Sequence, residues 1–249
     1  MKPFEKTVVI TGAGTGIGAA CARRFALDAW HVVLVGRRRS LLESLAKDLR
    51  SAQSIECDIT NEKQLQKIKT EIEKLPIESL CLINNAGIFR RHAFLENHLG
   101  NWKEQFETNL FGAVRLTQLL TPIMIQKKKG SIVNVSSTLA LQTAAQVSAY
   151  SASKAAMNSW TQCLALELAS SGIRVNAVCP GLVDTPIHDF HKLEAAEKTE
   201  NLKRLGPAQP LGRVGTPEEI AESIFFLAGP QSSWTTGSIL SVDGGIHLT

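Results

Sequence analysis

The stretch from Lys6 to Ala26 constrains this chain more than any other. Lys6-Thr7-Val8-Val9-Ile10-Thr11 is a short apolar, β-branched run that predicts a buried strand. Gly12-Ala13-Gly14-Thr15-Gly16-Ile17-Gly18 follows, and an apolar period through Cys21, Phe25 and Ala26 then predicts a helix. Glycines permit the tight turn and let backbone N–H groups approach a ligand, while the helix N-terminus carries partial positive charge. Glycines also serve as plain loop punctuation. Placed between this strand and this helix, they point to a dinucleotide pyrophosphate, with Gly12, Thr15, Gly16, Ile17 and Gly18 as candidate contacts.

The rest of the chain continues the alternation. Apolar strands are predicted over residues 31–35, 80–83, 132–135 and 174–179, and helical patterns over 40–49, 61–74, 99–125 and 149–168. Thr216-Pro217-Glu218-Glu219 starts one more helix, with Thr216 as N-cap, Pro217 at the first position and Glu219 closing a capping box. Without an internal repeat or low-complexity linker, this alternation predicts an α/β fold, a parallel sheet covered by helices on both faces. With 249 residues, 44% of them hydrophobic, one domain over 1–249 is the economical count.

The strand at 31–35 ends in Gly36-Arg37-Arg38-Arg39. A carboxylate about 20 positions beyond the glycine turn would hydrogen-bond the ribose 2′-hydroxyl of NAD. Gly36 occupies that region, and the guanidinium forks of Arg37 and Arg38 suit a 2′-phosphate, so NADP (NADPH) is favoured over NAD. Arg38 or Arg39 also fits a solvated helix start.

The single tyrosine, Tyr150, stands four residues before Lys154 and thirteen after Ser137. On a helix, i and i+4 share a face, so the Lys154 ammonium would sit near the phenol and favour its ionisation. Such a phenol can exchange a proton with an alkoxide or alcohol. Ser137 follows the apolar run 132–135, where a hydroxyl can hydrogen-bond a carbonyl oxygen. Taken alone, the same residues equally fit a helix start, with Ser137 in a turn and Lys154 in solvent.

Taken in order, Thr11 to Gly18, Asp58-Ile59, Asn84-Asn85-Ala86-Gly87, Asn109, Ser137, Tyr150-x-x-x-Lys154, Pro180-Gly181 and Val242-Asp243-Gly244-Gly245 resemble the short-chain dehydrogenase/reductase family over nearly the whole chain. The resemblance implies a single Rossmann-like, doubly wound domain. It also implies a tetrad of Asn109, Ser137, Tyr150 and Lys154. In it Tyr150 is the general acid/base, Ser137 orients the substrate oxygen, Lys154 binds nicotinamide ribose and lowers the Tyr150 pKa, and Asn109 supports a water-linked relay. It further places Asp58, Ile59, Asn85, Ala86, Gly87, Tyr150, Lys154, Pro180, Gly181, Val183 and Thr185 beside the cofactor. Asp58 equally fits turn chemistry before Thr60. A substrate lid is implied near 186–210, as is a homo-oligomer, dimer or tetramer, paired through the long helices.

Among such proteins the chain is similar to 3-oxoacyl-carrier-protein reductases, yet Ser131 and Ser171 stand where arginines facing an acidic carrier are expected, and only Lys127 to Lys129 offer a substitute. The expected function is reversible interconversion of a small carbonyl and a secondary alcohol. The alternative is an idle NADP-binding sensor or scaffold, although such proteins usually lose the tyrosine or lysine. Arg90-Arg91-His92 borders the implied site and could attract an anionic substrate, although an exposed loop is the safer reading.

Net charge +4 is mild and spread, and aromatic residues make up 6%, which does not suggest nucleic acid. No apolar run approaches about 18 residues, and Met1-Lys2-Pro3-Phe4-Glu5 leads straight into the first strand, so a cytoplasmic protein without a membrane partner is expected. Five cysteines without C-x-x-C spacing suit reduced core thiols. His188 and His191 lack an evident third ligand, so no metal is expected.

Overall fold

The computed structural model describes Phe4, residues 6–188 and residues 193–249; Phe190 and His191 of the expected lid lie outside the described residues. The strands are β1 (Thr7–Thr11), β2 (His31–Gly36), β3 (Ala52–Glu56), β4 (Leu80–Asn84), β5 (Gly130–Val135), β6 (Ile173–Pro180) and β7 (Ile239–Val242). They form one parallel sheet in the order β3-β2-β1-β4-β5-β6-β7. The helices are α1 (Gly16–Leu27), α2 (Arg39–Asp48), α3 (Glu62–Glu73), α4 (Leu99–Phe106), α5 (Gly112–Lys127), α6 (Ser148–Leu168), α7 (Ala195–Leu205) and α8 (Pro217–Ala228).

Successive strand residues face opposite ways, and both ways are buried. Val8, Ile10, Val32 and Leu34 pack with Phe25 of α1, Leu42 of α2 and Ile224 of α8. Val9, Val33, Val35 and Leu82 pack with Ile68 of α3 and with Leu116 and Leu120 of α5 on the other face. Each fully buried side chain of this size contributes about 1.5–3 kcal/mol, which explains why continuous apolar runs, rather than alternating ones, marked these strands. β3 and β7 lie at the sheet edges with mostly half-buried residues, and no such run announces them.

One predicted element divides. The helical pattern over 99–125 contains a π-helical turn, Glu107–Phe111, between α4 and α5. Apolar periodicity does not register one wide turn, and such turns recur at functional sites. Here it carries Asn109, fully buried. The Thr216 capping box forms as the sequence predicts, with Thr216 Oγ1 accepting from Glu219 N (3.3 Å) and Glu219 Oε2 accepting from Thr216 N (2.8 Å). Among the described residues no helix is long and apolar enough to cross a membrane.

Candidate active site

Strand order reverses at β1, with β2 on one side and β4 on the other, which opens a crevice at the carboxyl ends of the strands. Thr11, the last residue of β1, ties the crevice together. Its Oγ1 accepts from Asn85 N (2.9 Å) and Ala86 N (3.0 Å) and donates to Ile83 O (3.2 Å). Asn85 Nδ2 donates back to Thr11 O at 2.8 Å. The glycine turn and the Asn85-Ala86-Gly87 segment are thereby one rigid unit. Gly12 sits at φ +65°, and a Cβ there would lie 2.9 Å from Asn85 Nδ2. α1 begins with no side-chain cap hydrogen bond at Thr15 and no acid in its first turn, so its N–H groups remain open to an anion.

A cavity of about 690 Å³ runs along this crevice. Gly12, Thr15, Gly16 and Ile17 line it, as do Arg37, Arg38, Asp58, Ile59, Asn85, Ala86 and Gly87. Pro180, Gly181, Val183 and Thr185 line it from the β6 side, and Ser137, Tyr150 and Lys154 lie at the far end. Two expected contacts do not reach it. Gly18 packs α1 onto the turn instead, since a Cβ there would lie 2.4 Å from Gly12 O. Asn109 is fully buried and does not line the cavity; its Oδ1 accepts from Ile88 N (2.8 Å), and its Nδ2 donates to Ile88 O (3.0 Å) and Ser153 Oγ (3.1 Å).

At the end of β2, Arg38 Nη2 donates to Thr15 Oγ1 at 2.9 Å, folding over the glycine turn. Arg39 instead pairs with Glu43 on the surface, as a solvated helix start requires. Among the described residues Asp58 is the sole carboxylate lining the cavity, and its Oδ1 accepts from Thr60 N (2.9 Å) and Thr60 Oγ1 (2.8 Å), so the turn reading also holds.

Tyr150 and Lys154 lie on the first turns of α6, both buried. The spacing brings them to one face, but the expected charge coupling is not what governs the phenol. Lys154 Nζ donates to Val135 O at 2.7 Å and stands 5.9 Å from the centre of the Tyr150 ring. Burial pushes the phenol up to about 12, against a smaller downward pull from the Ser137 hydrogen bond. Burial also pushes Lys154 down to about 8. Ser137 is at once a turn residue, its Oγ accepting from Leu139 N (3.1 Å), and a cavity residue beside the phenol.

Several site residues carry no motif. Phe89 packs edge-on against Tyr150 with ring centres 4.8 Å apart and lies 5.9 Å from the His188 ring. Gln142, Val147 and Ile246 also line the far end, and their positions come from loops whose sequence has no periodicity to read. Arg91 lines the cavity, whereas Arg90 lies 3.7 Å from Glu104. From the segment after β6, Pro186, Ile187 and His188 reach the cavity, and Lys198 of α7 pairs with Asp184 at 2.7 Å. Ser131 lies at the opposite end of the sheet, its Oγ donating to Ala228 O (2.9 Å). Cys21, Cys57, Cys81 and Cys179 are buried free thiols and Cys163 is exposed; burial pushes Cys57 up to about 11. No group of three or more His, Cys, Asp or Glu among the described residues is disposed to hold a metal.

The profile of a family described as enoyl-(acyl carrier protein) reductase matches residues 12–247. The 3-oxoacyl-[acyl-carrier-protein] reductase of Thermotoga maritima is 36% identical over the full length of both chains. The cis-4-hydroxycyclohexanecarboxylate dehydrogenase of Sinomonas cyclohexanicum is 36% identical over 97% of this chain and 96% of its own. Among solved structures, L-sorbose reductase from Gluconobacter frateurii, in complex with NADPH and L-sorbose, superposes with a TM-score of 0.91 at 28% identity, covering 100% of this chain and 99% of its own. With the ordered motifs, the parallel sheet and this cavity, these likenesses establish that the chain belongs to the short-chain dehydrogenase/reductase family, oxidoreductases that act on CH–OH groups.

Proposed function

We propose that the protein interconverts a ketone or aldehyde and the corresponding alcohol with NADP(H), using Tyr150 as general acid and base. The observation that carries this reading is one continuous cavity with an open glycine turn and two arginines at one end and a buried phenol beside a serine at the other. The residues fit the cofactor. The N–H groups of α1 suit a pyrophosphate, and Arg37 and Arg38 suit a 2′-phosphate with no carboxylate at the end of β2 to repel it. When bound, the nicotinamide supplies or accepts the hydride.

The chain's own residues handle the proton and the orientation. With its pKa raised to about 12, Tyr150 holds its proton at neutral pH and can give it to a nascent alkoxide. Ser137 Oγ holds the substrate oxygen against that phenol. Lys154, lowered to about 8, is still mostly charged at neutral pH, and it is the residue for the nicotinamide ribose. Asn109 acts through position, fixing the Gly87-Ile88 turn directly and, through Ser153 Oγ, which donates to Tyr150 O (2.7 Å), the start of α6. The segment 186–210 serves as a lid on a single catalytic domain. The half-exposed Phe111 and exposed Leu166, on the long helices, suit pairing between copies of the chain in the cytoplasm.

The test is NADPH oxidation over a panel of carbonyls that includes a 3-oxoacyl thioester, diketones, sugars and steroids. Carbonyl-dependent turnover is expected. NADPH binding seen by nicotinamide fluorescence, with no turnover in either direction, would instead establish a sensor.

A further inference from the structure

Resting on that reading, we propose that the physiological substrate carries a carboxylate on an apolar body, and that Arg91 receives it. At the substrate end Phe89, Leu139, Val147, Ile187 and Ile246 supply apolar walls, and Ser137, Gln142 and His188 supply polar groups. An aliphatic or alicyclic body fits the apolar walls.

The charge at this end has one sign. Arg91 and Lys154 contribute cations, with His188 beside them, and the one carboxylate lining the cavity, Asp58, stands at the opposite, adenine end. Nearby acids are engaged elsewhere: Glu104 lies 3.7 Å from Arg90, and Asp184 pairs with Lys198. Lys154 donates to Val135 O, and at this end Arg91, an exposed residue, has no carboxylate partner among the described residues. Only Arg90 separates Arg91 from Phe89, whose ring packs on Tyr150, so the two Cα atoms lie within about 7 Å of each other. A substrate whose oxygen meets Tyr150 would carry its apolar body along these walls and its anionic end to Arg91.

Two measurements separate this inference from the activity it rests on. In the first, cyclohexanecarboxylate and cyclohexanecarboxamide are titrated into the NADPH-loaded protein by calorimetry. The acid is expected to bind about tenfold more tightly than the amide. Arg91→Ala should remove that preference while Arg90→Ala keeps it. Equal binding of acid and amide, or a preference that survives Arg91→Ala, overturns the proposal. In the second, kcat/KM for 4-oxocyclohexanecarboxylate is compared with its methyl ester. The acid should be favoured chiefly through KM, and the acid-to-ester ratio should fall toward unity in Arg91→Ala; an unchanged ratio overturns the proposal. Arg91-dependent binding of the acid without turnover of any carbonyl would uphold the anion site and overturn the oxidoreductase reading.

Discussion

The two ends of the cavity are built differently. At the dinucleotide end, strand termini and backbone do the positioning. Thr11 and Asn85 lock the glycine turn to the end of β4, and Arg38 is tied to Thr15. At the substrate end, loop side chains from four separate segments meet, Phe89 and Arg91 from one, Leu139 and Val147 from another, Ile187 and Ile246 from two more. The first end is fixed by sheet register and depends on the shape of the main chain. The second depends on side-chain identity, which is where members of one fold acquire different substrates.

The largest effect that would break this contrast is at the junction of the two ends. Tyr150→Phe removes the proposed proton donor without altering the backbone cradle. Turnover should fall by about a hundredfold to ten-thousandfold, with NADPH affinity nearly unchanged, as read by steady-state rates and a binding titration. An equal loss in binding would mean that the phenol belongs to the cofactor end. Next, replacing Arg37 by Ala should weaken NADPH by about tenfold to a hundredfold and NADH hardly at all, since a charge-assisted hydrogen bond contributes about 1.5–3 kcal/mol. Equal losses for both cofactors would contradict the 2′-phosphate assignment.

A smaller effect is expected from pH. Lys154 is lowered in the folded protein to about 8 from its ordinary 10.5, so between those values the unfolded chain holds a proton that the folded one has released. Its own contribution to stability should therefore rise with pH across that window, against an opposite contribution above about 9 from the buried Cys21, Cys57, Cys81 and Cys179, whose thiols burial pushes up, while carbonyl reduction declines as the ammonium is lost. In denaturant titrations the stability of the wild type relative to Lys154→Met should rise with pH across the window; a difference that does not change with pH would contradict the lowered Lys154. The smallest effect lies away from both ends. Thr216→Ala breaks the capping box and should cost about 1 kcal/mol in denaturant midpoint with kinetics unchanged.

Legibility in the sequence follows the same division. The apolar runs of β1, β2, β4, β5 and β6 announced a parallel sheet because both of its faces are buried. The glycine turn was readable because few residue types permit its backbone. The half-buried edge strands β3 and β7 and the π turn at Asn109 left no periodic signal. Spacing put Tyr150 and Lys154 on one face correctly. It did not give the electrostatics, because burial of the phenol and the Val135 carbonyl that takes the ammonium are set by β5, nineteen residues away in sequence. Gly18, expected as a cofactor contact, and Asn109, expected in a water-linked relay, do not line the cavity; Gly18 packs against Gly12 O and Asn109 bonds Ile88.

The proton donor in this mechanism is one buried phenol, and the chain has no other tyrosine. Its ionisation can be read directly from phenolate absorbance within milliseconds of a pH jump, before the fold is lost, in the cofactor-free protein. Burial predicts a midpoint near about 12, a phenol that keeps its proton until a substrate oxygen takes it. A midpoint at or below about 10, the ordinary value for tyrosine, would contradict that prediction and restore the Tyr150–Lys154 charge coupling that the spacing alone suggests.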